Sequence, residues 1–566
     1  MRRRDFLKTL SGVSATLVLS SSPLLVSACA GRSAKRNTRS TFDLSSVSPV
    51  DRSDHSENPT YVAGDDPAVP HEVLWNKNAF LASKTISGDS EVAPLVIVGG
   101  GMSGLFTTYL LRDLNPILLE QATRFGGNSK AESWNGLDYS VGAAYFVKPE
   151  LGTPWQKLLT ELEVDKLWRV KTGEDPVALE SNIYERFWSG ETARSQANKF
   201  RALEQYFQNV FNDQNGEVYP DIPYNDAQMR AVVTGLDQES FHSLVRRKCG
   251  GRIPTHIETV IEHYCWSTFG ASSAELSAAA GLNNFAAEFG DLVVTPGGNA
   301  GVAERVLERL SQSIEPSRLR TQSLVVDVQA RGDYNEVVYL DAGRDLKKIK
   351  AKAVVLACPK FVAKRLVDTF ESDRMNAISK MTYRAYLVAN VFLKKAPQKV
   401  FYDLYMLGNG TIDLRNVMTT SLQKKATDVV LGNFAYGGDA SNQAVLTLYR
   451  AFPFEGGRAM LYSPPAIETY KREFEEQAVQ QILPMLGLTS SDIAGVRIAR
   501  WGHPMPVAKV GTYAKGIPDL LRKPHRESIF FAEQDNFLLP CIETCAEEAF
   551  WVAPRVRQLL KKGSSA

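Results

Sequence analysis

Three glycines and one acidic residue have the types and the spacing that nucleotide binding requires. Gly99, Gly101 and Gly104 form a G-x-G-x-x-G pattern, and Glu120 follows them in the sequence. The first glycine permits a tight turn, the second lets the backbone approach a pyrophosphate, and the third lets a helix pack closely on a strand. A carboxylate about 20 residues further on accepts hydrogen bonds from ribose hydroxyls and disfavours a 2′-phosphate. These residues therefore indicate binding of FAD or NAD rather than NADP.

A strand, a helix and a second strand must position these residues. The apolar run Leu95 to Val98 predicts a buried parallel strand, and the residues from Met102 and Ser103 onward predict a helix. Residues 117–119 predict a second strand, which ends in Glu120. The N-terminus of the helix would face the phosphates of the nucleotide. This β-α-β unit makes the glycine pattern far more specific than the glycines alone.

The residues after Glu120 separate FAD from NAD. Arg124, Gly126 and Gly127 follow at the spacing E-x-x-x-R-x-G-G. This extension resembles the flavin amine oxidase superfamily, which includes monoamine and polyamine oxidases, protoporphyrinogen oxidase and phytoene desaturases. The resemblance implies that the arginine and both glycines lie near the FAD pyrophosphate and ribityl chain. The alternatives are a solvated surface cation and an ordinary glycine turn.

Further stretches resemble the same superfamily in order along the chain, up to about Val556. The resemblance places Gly142 beside the flavin ring, Val325 against the adenine and Asp535 in an acidic turn over the FAD. It also implies a final helix with its N-terminus aimed at the flavin. The stretches are 135–146, 295–310, 323–329, 353–360, 528–536 and 541–550.

The order of these stretches implies an α/β fold with two discontinuous domains. We expect a Rossmann-type FAD-binding domain from 91–149, 286–367 and 501–566. The insertions 150–285 and 368–500 would form an α+β substrate domain, because the first has helical periodicity and the second has β-rich runs. No second G-x-G-x-x-G turn follows a predicted strand, so electrons are expected from the substrate rather than from a nicotinamide domain.

The candidate catalytic residues are less typical of the superfamily. In monoamine oxidases, a cysteine that holds the flavin covalently precedes a tyrosine of an aromatic cage. Here Thr512 takes the cysteine position, so the resemblance implies non-covalent FAD, and Tyr513 takes the cage position. Cys541 lies near the position of the second cage aromatic. Together with Tyr145 and Trp501, Tyr513 and Cys541 are the candidates for the catalytic wall, and core packing is the alternative for each. His503 is a further candidate, for which a structural role is the favoured interpretation.

Two other positions depart from the superfamily. A lysine near flavin N5 is expected on the strand that follows Arg384, but no lysine occurs before Lys394. In the acidic turn Glu533 replaces a glycine, which predicts a changed turn, while Asp535 keeps the acid. These departures weaken a strict amine oxidase and leave an FAD oxidoreductase intact. In that chemistry the flavin accepts a hydride equivalent, and the protein positions the donor carbon.

The first 90 residues predict export and attachment. Arg2 to Arg4 and the apolar run behind them resemble a twin-arginine signal, and Val26 to Cys29 resembles a lipobox in which Cys29 is acylated. The segment 1–29 would engage the twin-arginine machinery, carry a folded and FAD-loaded protein to the periplasmic side of an envelope, and anchor it by lipid. A basic terminus before a buried helix is the alternative. Residues 30–90 are polar enough to predict a flexible tether, in which 73–82 docks on the body.

Composition excludes several other classes of protein. The formal net charge of +2 gives no basic footprint for nucleic acid. Five cysteines besides Cys29 are too few for a disulfide framework in a chain of this size, and the seven histidines show no metal-binding spacing. After Gly31 no apolar run is long enough to span a bilayer.

The leading hypothesis is an exported, lipid-anchored FAD oxidoreductase that takes a hydride from a small organic donor, with amines favoured. The first alternative is an FAD-dependent desaturase or isomerase acting on an apolar substrate. A non-catalytic flavoprotein that serves as a binding factor in the envelope is the second. A plain NAD dehydrogenase is disfavoured by Arg124, Gly126 and Gly127.

Overall fold

Two large β-sheets organise the chain. The structure, a computed structural model, describes residues 43–55, 58, 61–414, 425–439, 442–462 and 466–562. The predicted export signal at 1–29, with Cys29, lies outside the described residues. Residues from both sheets line one large cavity.

The first sheet has seven strands and is parallel at its centre. Its parallel core surrounds Glu91–Val98, which pairs with Ile117–Leu119 on one side and with Leu346–Leu356 on the other. The edge strand on the far side forms an antiparallel hairpin with its neighbour. The strands, in spatial order, are Leu319–Arg320, Ile117–Leu119, Glu91–Val98, Leu346–Leu356, Asn335–Leu340 and Leu324–Ala330, with Ile529–Phe531 paired to the end of Leu346–Leu356. The mixed α/β class and its Rossmann-like unit are confirmed.

The central strand is apolar throughout its second half because both of its faces are covered. Leu95 and Ile97 pack in one core with three helices, and Val96 and Val98 pack in another core with the antiparallel hairpin. The three helices are Met102–Leu110, Ala300–Ser313 and Ile542–Lys562.

The second sheet has eight strands and is largely antiparallel. In its long strand Tyr383–Leu393, alternate residues face opposite sides. Leu387 and Ala389 pack in the core that includes the helix Ala466–Gln477, whereas Tyr386 and Val388 line the cavity. The strands, in spatial order, are Asn182–Tyr184, Val177–Leu179, Asp403–Met406, Asp428–Leu431, Ala444–Phe452, Tyr383–Leu393, Ile493–Pro506 and Ala63–Gly64.

Helices dominate the first insertion, as its periodicity predicts. In Ala197–Phe211, for example, the buried residues recur at helical spacing on one face. The helices of the insertion are Pro154–Glu161, Ala197–Phe211, Ala227–Leu236, Phe241–Lys248, Thr255–Phe269 and Ala278–Ala287, the last of which extends just beyond the predicted boundary at 285. Shorter helices at Lys360–Leu366, Ser372–Ser379 and Ile517–Arg522 pack beside the first sheet and its connections. None of the helices in the described ranges is long and apolar enough to cross a membrane.

Two small three-stranded sheets flank the cavity. One joins Val50–Asp51 to Ala131–Trp134 and Leu137–Ser140, and the other joins Phe146–Val147 to Leu292–Val294 and Arg169–Lys171. The first of them ties the N-terminal segment to the residues that follow the double glycine.

The flexible tether predicted for 30–90 is wrong from Asp43 onward, where the described residues are packed on the body. Ala63–Gly64 adds a strand to the second sheet, and the helices Ala68–Trp75 and Lys77–Ala82 follow it. Val73 is fully buried, so docking of the 73–82 patch is confirmed. Composition misled here because the segment takes its apolar contacts and hydrogen bonds from the body rather than from itself.

Candidate functional site

A cavity of about 1510 Å³ lies against the carboxyl ends of the parallel strands and one face of the antiparallel sheet. Small-molecule pockets are usually about 300–1,000 Å³, so this volume leaves room for a dinucleotide and a second small molecule. Within the described residues, no group of three or more His, Cys, Asp or Glu side chains is arranged to hold a metal ion.

The glycine turn forms a floor that side chains would obstruct. Gly99 has φ of +107°, and a Cβ there would lie 2.5 Å from the carbonyl oxygen of Ala357. A Cβ on Gly104 would lie 1.8 Å from the carbonyl oxygen of Gly99, so this glycine sets the packing of helix on turn. Gly101 and Gly127 line the cavity with backbone, and the amide of Gly126 donates to Gly100 O at 2.8 Å. Such a floor admits the close approach of a pyrophosphate.

The helix Met102–Leu110 begins directly at this floor. Gly101 is its N-cap and provides no side-chain cap, and Met102 and Ser103 line the cavity. The first N–H groups of a helix lack partners within the helix, so this end attracts an anion. The predicted phosphate position therefore matches the construction of the site.

Glu120 stands at the end of the neighbouring strand, on the cavity wall. Its carboxylate accepts hydrogen bonds from the backbone N–H of Gly100 at 2.6 Å and of Ala122 at 2.8 Å. These bonds fix its orientation toward the glycine turn. A carboxylate so held can accept from the hydroxyls of a ribose bound there.

Val325 and Gly142 mark two other parts of the cavity wall. Val325 lies where a register shift interrupts the pairing of the edge hairpin, and Gly142 lies beside Trp501. A Cβ on Gly142 would lie 2.1 Å from the carbonyl oxygen of Asn128, so the chain again passes with no space for a side chain. Both positions suit the adenine and ring contacts that the resemblance implies.

The acidic turn is stabilised by a lysine that the sequence analysis missed. Asp535 lines the cavity, and its carboxylate accepts from the Lys360 backbone N–H at 2.9 Å and from the Tyr383 hydroxyl at 2.5 Å. The Lys360 ammonium is fully buried and pairs with Glu533 at 2.6 Å. Burial and the neighbouring Asp535 charge raise the pKa of the Glu533 carboxyl.

Glu533 explains why this turn tolerates a residue other than glycine. Its φ of −165° is ordinary extended backbone, and its carboxylate accepts from the Asp535 N–H at 2.7 Å. The side chain therefore caps the short helix at Gln534–Asn536. Lys360 directly follows the turn "ACP" in the sequence. The presence of both this lysine and Glu533 was the sequence signal from which their ion pair could have been predicted.

Arg124 does not line the cavity in this structure, and its contact with the cofactor stays a prediction. Its guanidinium donates to Ser45 O at 2.7 Å and to Asp51 Oδ1 at 2.9 Å. The side chain thus binds the N-terminal segment instead of lining the cavity. The polar composition of that segment predicts a tether, so no partner for the arginine was expected there.

Tyr513 does not line the cavity, although the resemblance places it at the catalytic wall. Tyr513 is 1% exposed and packs behind the wall, where its hydroxyl donates to Phe537 O at 3.0 Å. Its backbone N–H donates to the Asp237 carboxylate at 2.8 Å. Tyr513 is therefore a structural residue, and the non-covalent attachment inferred from Thr512 stays a prediction.

Tyr145, Trp501 and Cys541 do line the cavity. The Trp501 indole N–H donates to Val141 O at 2.7 Å, which fixes the ring beside Gly142. Burial, with the charge of Glu543, raises the pKa of the Cys541 thiol well above its usual value, so it stays protonated. All five cysteines in the described ranges are free thiols.

His503 also lines the cavity, stacked on Phe361 with ring centroids 4.3 Å apart. Burial, with the charge of Arg458, lowers the pKa of His503 to about 3. A neutral imidazole at physiological pH fits the structural role that the sequence analysis favoured.

A cluster of carboxylates and tyrosines lies on the cavity wall and is here called the acidic wall; of its members, sequence reasoning identified only Tyr145. It comprises Glu288, Asp428, Ser267, Tyr145, Tyr264 and Tyr386. Tyr145 and Tyr264 both donate their hydroxyls to Glu288 Oε1, at 2.8 and 3.1 Å. The Ser267 hydroxyl donates to Asp428 at 2.8 Å and lies 2.9 Å from the Tyr386 hydroxyl.

Burial dominates the electrostatics of the acidic wall. It raises the pKa of Glu288 to about 7 and that of Asp428 to about 7. Behind the wall, Lys171 pairs with Asp175 at 2.5 Å, and burial raises the pKa of Asp403 well above its usual value. Glu288 Oε2 has no hydrogen-bond partner among the described residues. A bound cation would offset this accumulation of acidic groups.

Comparison with known proteins places the fold. The NAD(P)-binding Rossmann-like domain family matches residues 97–162, which hold the glycine turn and Glu120. The chain is 21% identical over 499 residues to Oxidoreductase PigB of Serratia sp. (strain ATCC 39006), a match that covers 80% of this chain and 73% of that protein.

Two solved structures show the range of proteins with this architecture. Wild-type putrescine oxidase bound to putrescine is similar with a TM-score of 0.59 and 14% identity, over 83% of this chain and 100% of that chain. A CLA-producing fatty acid isomerase from P. acnes is similar with a TM-score of 0.55 and 15% identity, over 83% of this chain and 99% of that chain. The chain therefore shares the fold of these proteins, and its residues 97–162 match a Rossmann-like dinucleotide-binding family.

Proposed function

We propose that the protein oxidises a small amine at the acidic wall, in a cavity that also holds non-covalent FAD. FAD, when bound, supplies the acceptor for the hydride equivalent. Glu288 and Asp428 carry the proposal, because a half-buried and a buried carboxylate surrounded by tyrosines form a surface that a cationic donor would neutralise. Putrescine oxidase, a structural neighbour, was solved with a diamine bound.

The acidic wall would recognise the substrate in its charged form. Close approach of an ammonium favours the ionised form of both carboxylates and so lowers their pKa values from about 7. Tyrosine rings at the same wall add attraction for a cation held over their faces. Tyr145 and Tyr264 orient the Glu288 carboxylate, which limits the positions that the ammonium can adopt.

Anaerobic reduction of the bound flavin tests this function. The purified protein is mixed with diamines, monoamines and uncharged alcohols, and the oxidised flavin band near roughly 450 nm is followed. We expect at least one amine to bleach it. Absence of bound flavin would contradict the cofactor assignment. Intact flavin that no donor reduces would contradict the amine oxidase and favour a non-catalytic flavoprotein.

A second candidate function is isomerisation or desaturation of an apolar molecule. Leu151 and Trp75, which both line the cavity, are 85% and 53% exposed and offer apolar surface at its outer parts. The fatty acid isomerase with the same fold acts on a substrate of this class. Conversion of an unsaturated fatty acid without any amine-dependent bleaching would favour this function.

We further propose export through the twin-arginine route and attachment by lipid on Cys29, on the strength of the N-terminal motifs alone. The expected location is the periplasmic side of an envelope. Cys29→Ser should abolish incorporation of labelled palmitate while export continues. Replacement of Arg2 to Arg4 by lysines should retain the protein in the cytoplasm, and unchanged export would contradict the route.

A further inference from the structure

We propose that residues 63–82, here called the strap, form the outer wall of the dinucleotide site and control how fast the cofactor exchanges. The strap comprises the strand Ala63–Gly64 and the helices Ala68–Trp75 and Lys77–Ala82. The strap is separate in sequence from the glycine turn, which begins at Gly99, and from the acidic turn, which contains Glu533 and Asp535. The proposal rests on FAD as the cofactor and is independent of the amine.

The strap lines the cavity along much of its length. The strap residues on the wall are Gly64, Asp65, Asp66, Pro67, Val69, Pro70, His71, Leu74 and Trp75. At one end, Asp65 lies against the strand that carries Trp501. At the other end, Leu74 packs in the same core as Val325, the expected adenine contact. A molecule extending from Val325 to Trp501 would therefore lie beneath the strap.

Backbone contacts fix the first end of the strap. Gly64 pairs in parallel register with Arg500, and its Cβ would lie 2.2 Å from the carbonyl oxygen of that residue. The Asp65 N–H donates to Arg500 O at 2.8 Å, and the Gly502 N–H donates to the Asp65 carboxylate at 2.7 Å. Only glycine fits the close approach at position 64, where φ is +94°.

Ion pairs fix the second end. The Lys77 ammonium lies 3.0 Å from Asp327 and 2.7 Å from Asp368, and both Lys77 and Asp327 are buried. Glu72 pairs with Arg344 at 2.8 Å on the surface. Loss of one partner from a buried pair is strongly destabilising, so Lys77 is the principal anchor of this end.

Two fixed ends make the strap a barrier to exchange of a bound dinucleotide. On this side of the cavity, cofactor can enter or leave only when one end detaches, which is a local opening reaction. Cofactor would therefore bind before the strap docks, and docking would then slow its loss.

Exchange of bound FAD against an excess of isotopically labelled FAD measures this barrier in the full-length holoprotein. Asp65→Ala and Lys77→Ala, together or singly, should accelerate exchange on the order of tenfold or more, because each removes an anchor. Lys84→Ala is the matched control. Its ammonium donates to Arg344 O at 2.7 Å from an exposed position beyond the strap, so exchange should stay unchanged. Equal exchange rates in the anchor variants and the wild type would overturn the proposal.

Hydrogen exchange of the unaltered protein gives a second measurement, which does not depend on how the variants fold. Removal of FAD should accelerate amide exchange in residues 64–75 more than in Tyr383–Leu393. Equal acceleration in both regions would overturn the proposal. If FAD binds normally but its removal does not affect the strap, only the strap proposal is contradicted and the proposed amine oxidation is not. A protein that binds no flavin contradicts both proposals.

Discussion

The cofactor wall of the cavity is made mostly of backbone, whereas the acidic wall is made of side chains. At the cofactor wall, Gly99, Gly101 and Gly127 leave space, and the helix end at Met102 offers N–H groups. At the acidic wall, Glu288 and Asp428 supply charge that burial makes costly. The cofactor wall therefore depends on the absence of side chains, and the acidic wall depends on charge. Substitutions that add a side chain should disable the first, and substitutions that remove a charge should disable the second.

The largest effect is expected at the cofactor wall, from Gly104→Ala. The added Cβ would collide with Gly99 O at 1.8 Å, and backbone atoms on both sides cannot move away cheaply. We expect a loss of about 3 kcal/mol or more in the free energy of unfolding and a protein isolated with little flavin. Thermal unfolding and the ratio of flavin to protein absorbance measure the two effects.

Gly235→Ala is the matched control for this substitution. Gly235 lies within the helix Ala227–Leu236 with open space around its Cβ position. Alanine there should stabilise the helix by up to about 1 kcal/mol and leave the flavin content unchanged. Equal flavin loss in both variants would contradict the steric account of the cofactor wall.

At the acidic wall, Glu288→Gln should slow flavin reduction by subsaturating amine on the order of a hundredfold while flavin content stays normal. The substitution keeps the shape and removes the charge of a half-buried group. Loss of one partner from a buried, hydrogen-bonded charge pair typically costs about 2–5 kcal/mol in binding. Stopped-flow reduction measures the effect. Glu308→Gln, on the outer helix Ala300–Ser313, is the control and should behave as wild type.

The pH dependence of reduction should follow the carboxylates of the acidic wall. Glu288 and Asp428 have pKa values of about 7, so both are largely neutral below that pH and ionised above it. Reduction at subsaturating amine should therefore rise as pH increases through about 7. Asp175, Asp403 and Lys171 lie close enough to broaden the transition. A flat profile between pH 6 and 8 (about one unit either side of 7) would contradict charge recognition.

The free energy of unfolding of the cofactor-free protein should fall as pH rises toward about 7, whereas flavin reduction should rise. A carboxyl with a raised folded pKa binds its proton more tightly in the folded state than in the unfolded state. The stability it contributes is present below its ordinary pKa near 4.5 and is lost as pH rises toward about 7. Glu288→Gln should flatten this part of the pH–stability curve, and an unchanged slope would show that other groups control it.

The smallest effect is expected for Tyr513→Phe, which tests whether Tyr513 lies outside the acidic wall. It removes one buried hydrogen bond to Phe537 O and should lower the free energy of unfolding by about 1 kcal/mol. Amine-dependent reduction should stay normal. Tyr145→Phe, which removes a bond to Glu288, should instead slow reduction, and equal effects on reduction would contradict the assignment of Tyr513 to the core.

The cofactor wall could be predicted from sequence because its chemistry is local. The strand, the turn and Glu120 lie within a short stretch, and the glycine spacing marks the positions at which no side chain fits. The helical and β-rich insertions followed from periodicity, whereas the α/β fold followed from the order of the stretches that resemble the superfamily.

Apart from Tyr145, the acidic wall could not be predicted because its members come from distant elements. Glu288 follows the helix Ala278–Ala287, whereas Asp428 begins a strand of the second sheet. No short motif joins them, and a lone acid after an apolar helix is an ambiguous signal. The contacts of Arg124 and Tyr513 could not be predicted for a related reason, since their partners, Asp51 and Asp237, are far away in sequence.

The alternation of Tyr383–Leu393 constrains how this pocket can diversify. Tyr386 and Val388 face the cavity, whereas Leu387 and Ala389 face the outer core. Point substitutions at the first pair can reshape the pocket without disturbing the core. A single-residue insertion or deletion before them would turn the cavity-facing side chains toward the core and the core-facing side chains toward the cavity. Both the pocket and the core would then be lost. New specificities in relatives of this chain should therefore accumulate at every second position of this strand, with its length preserved.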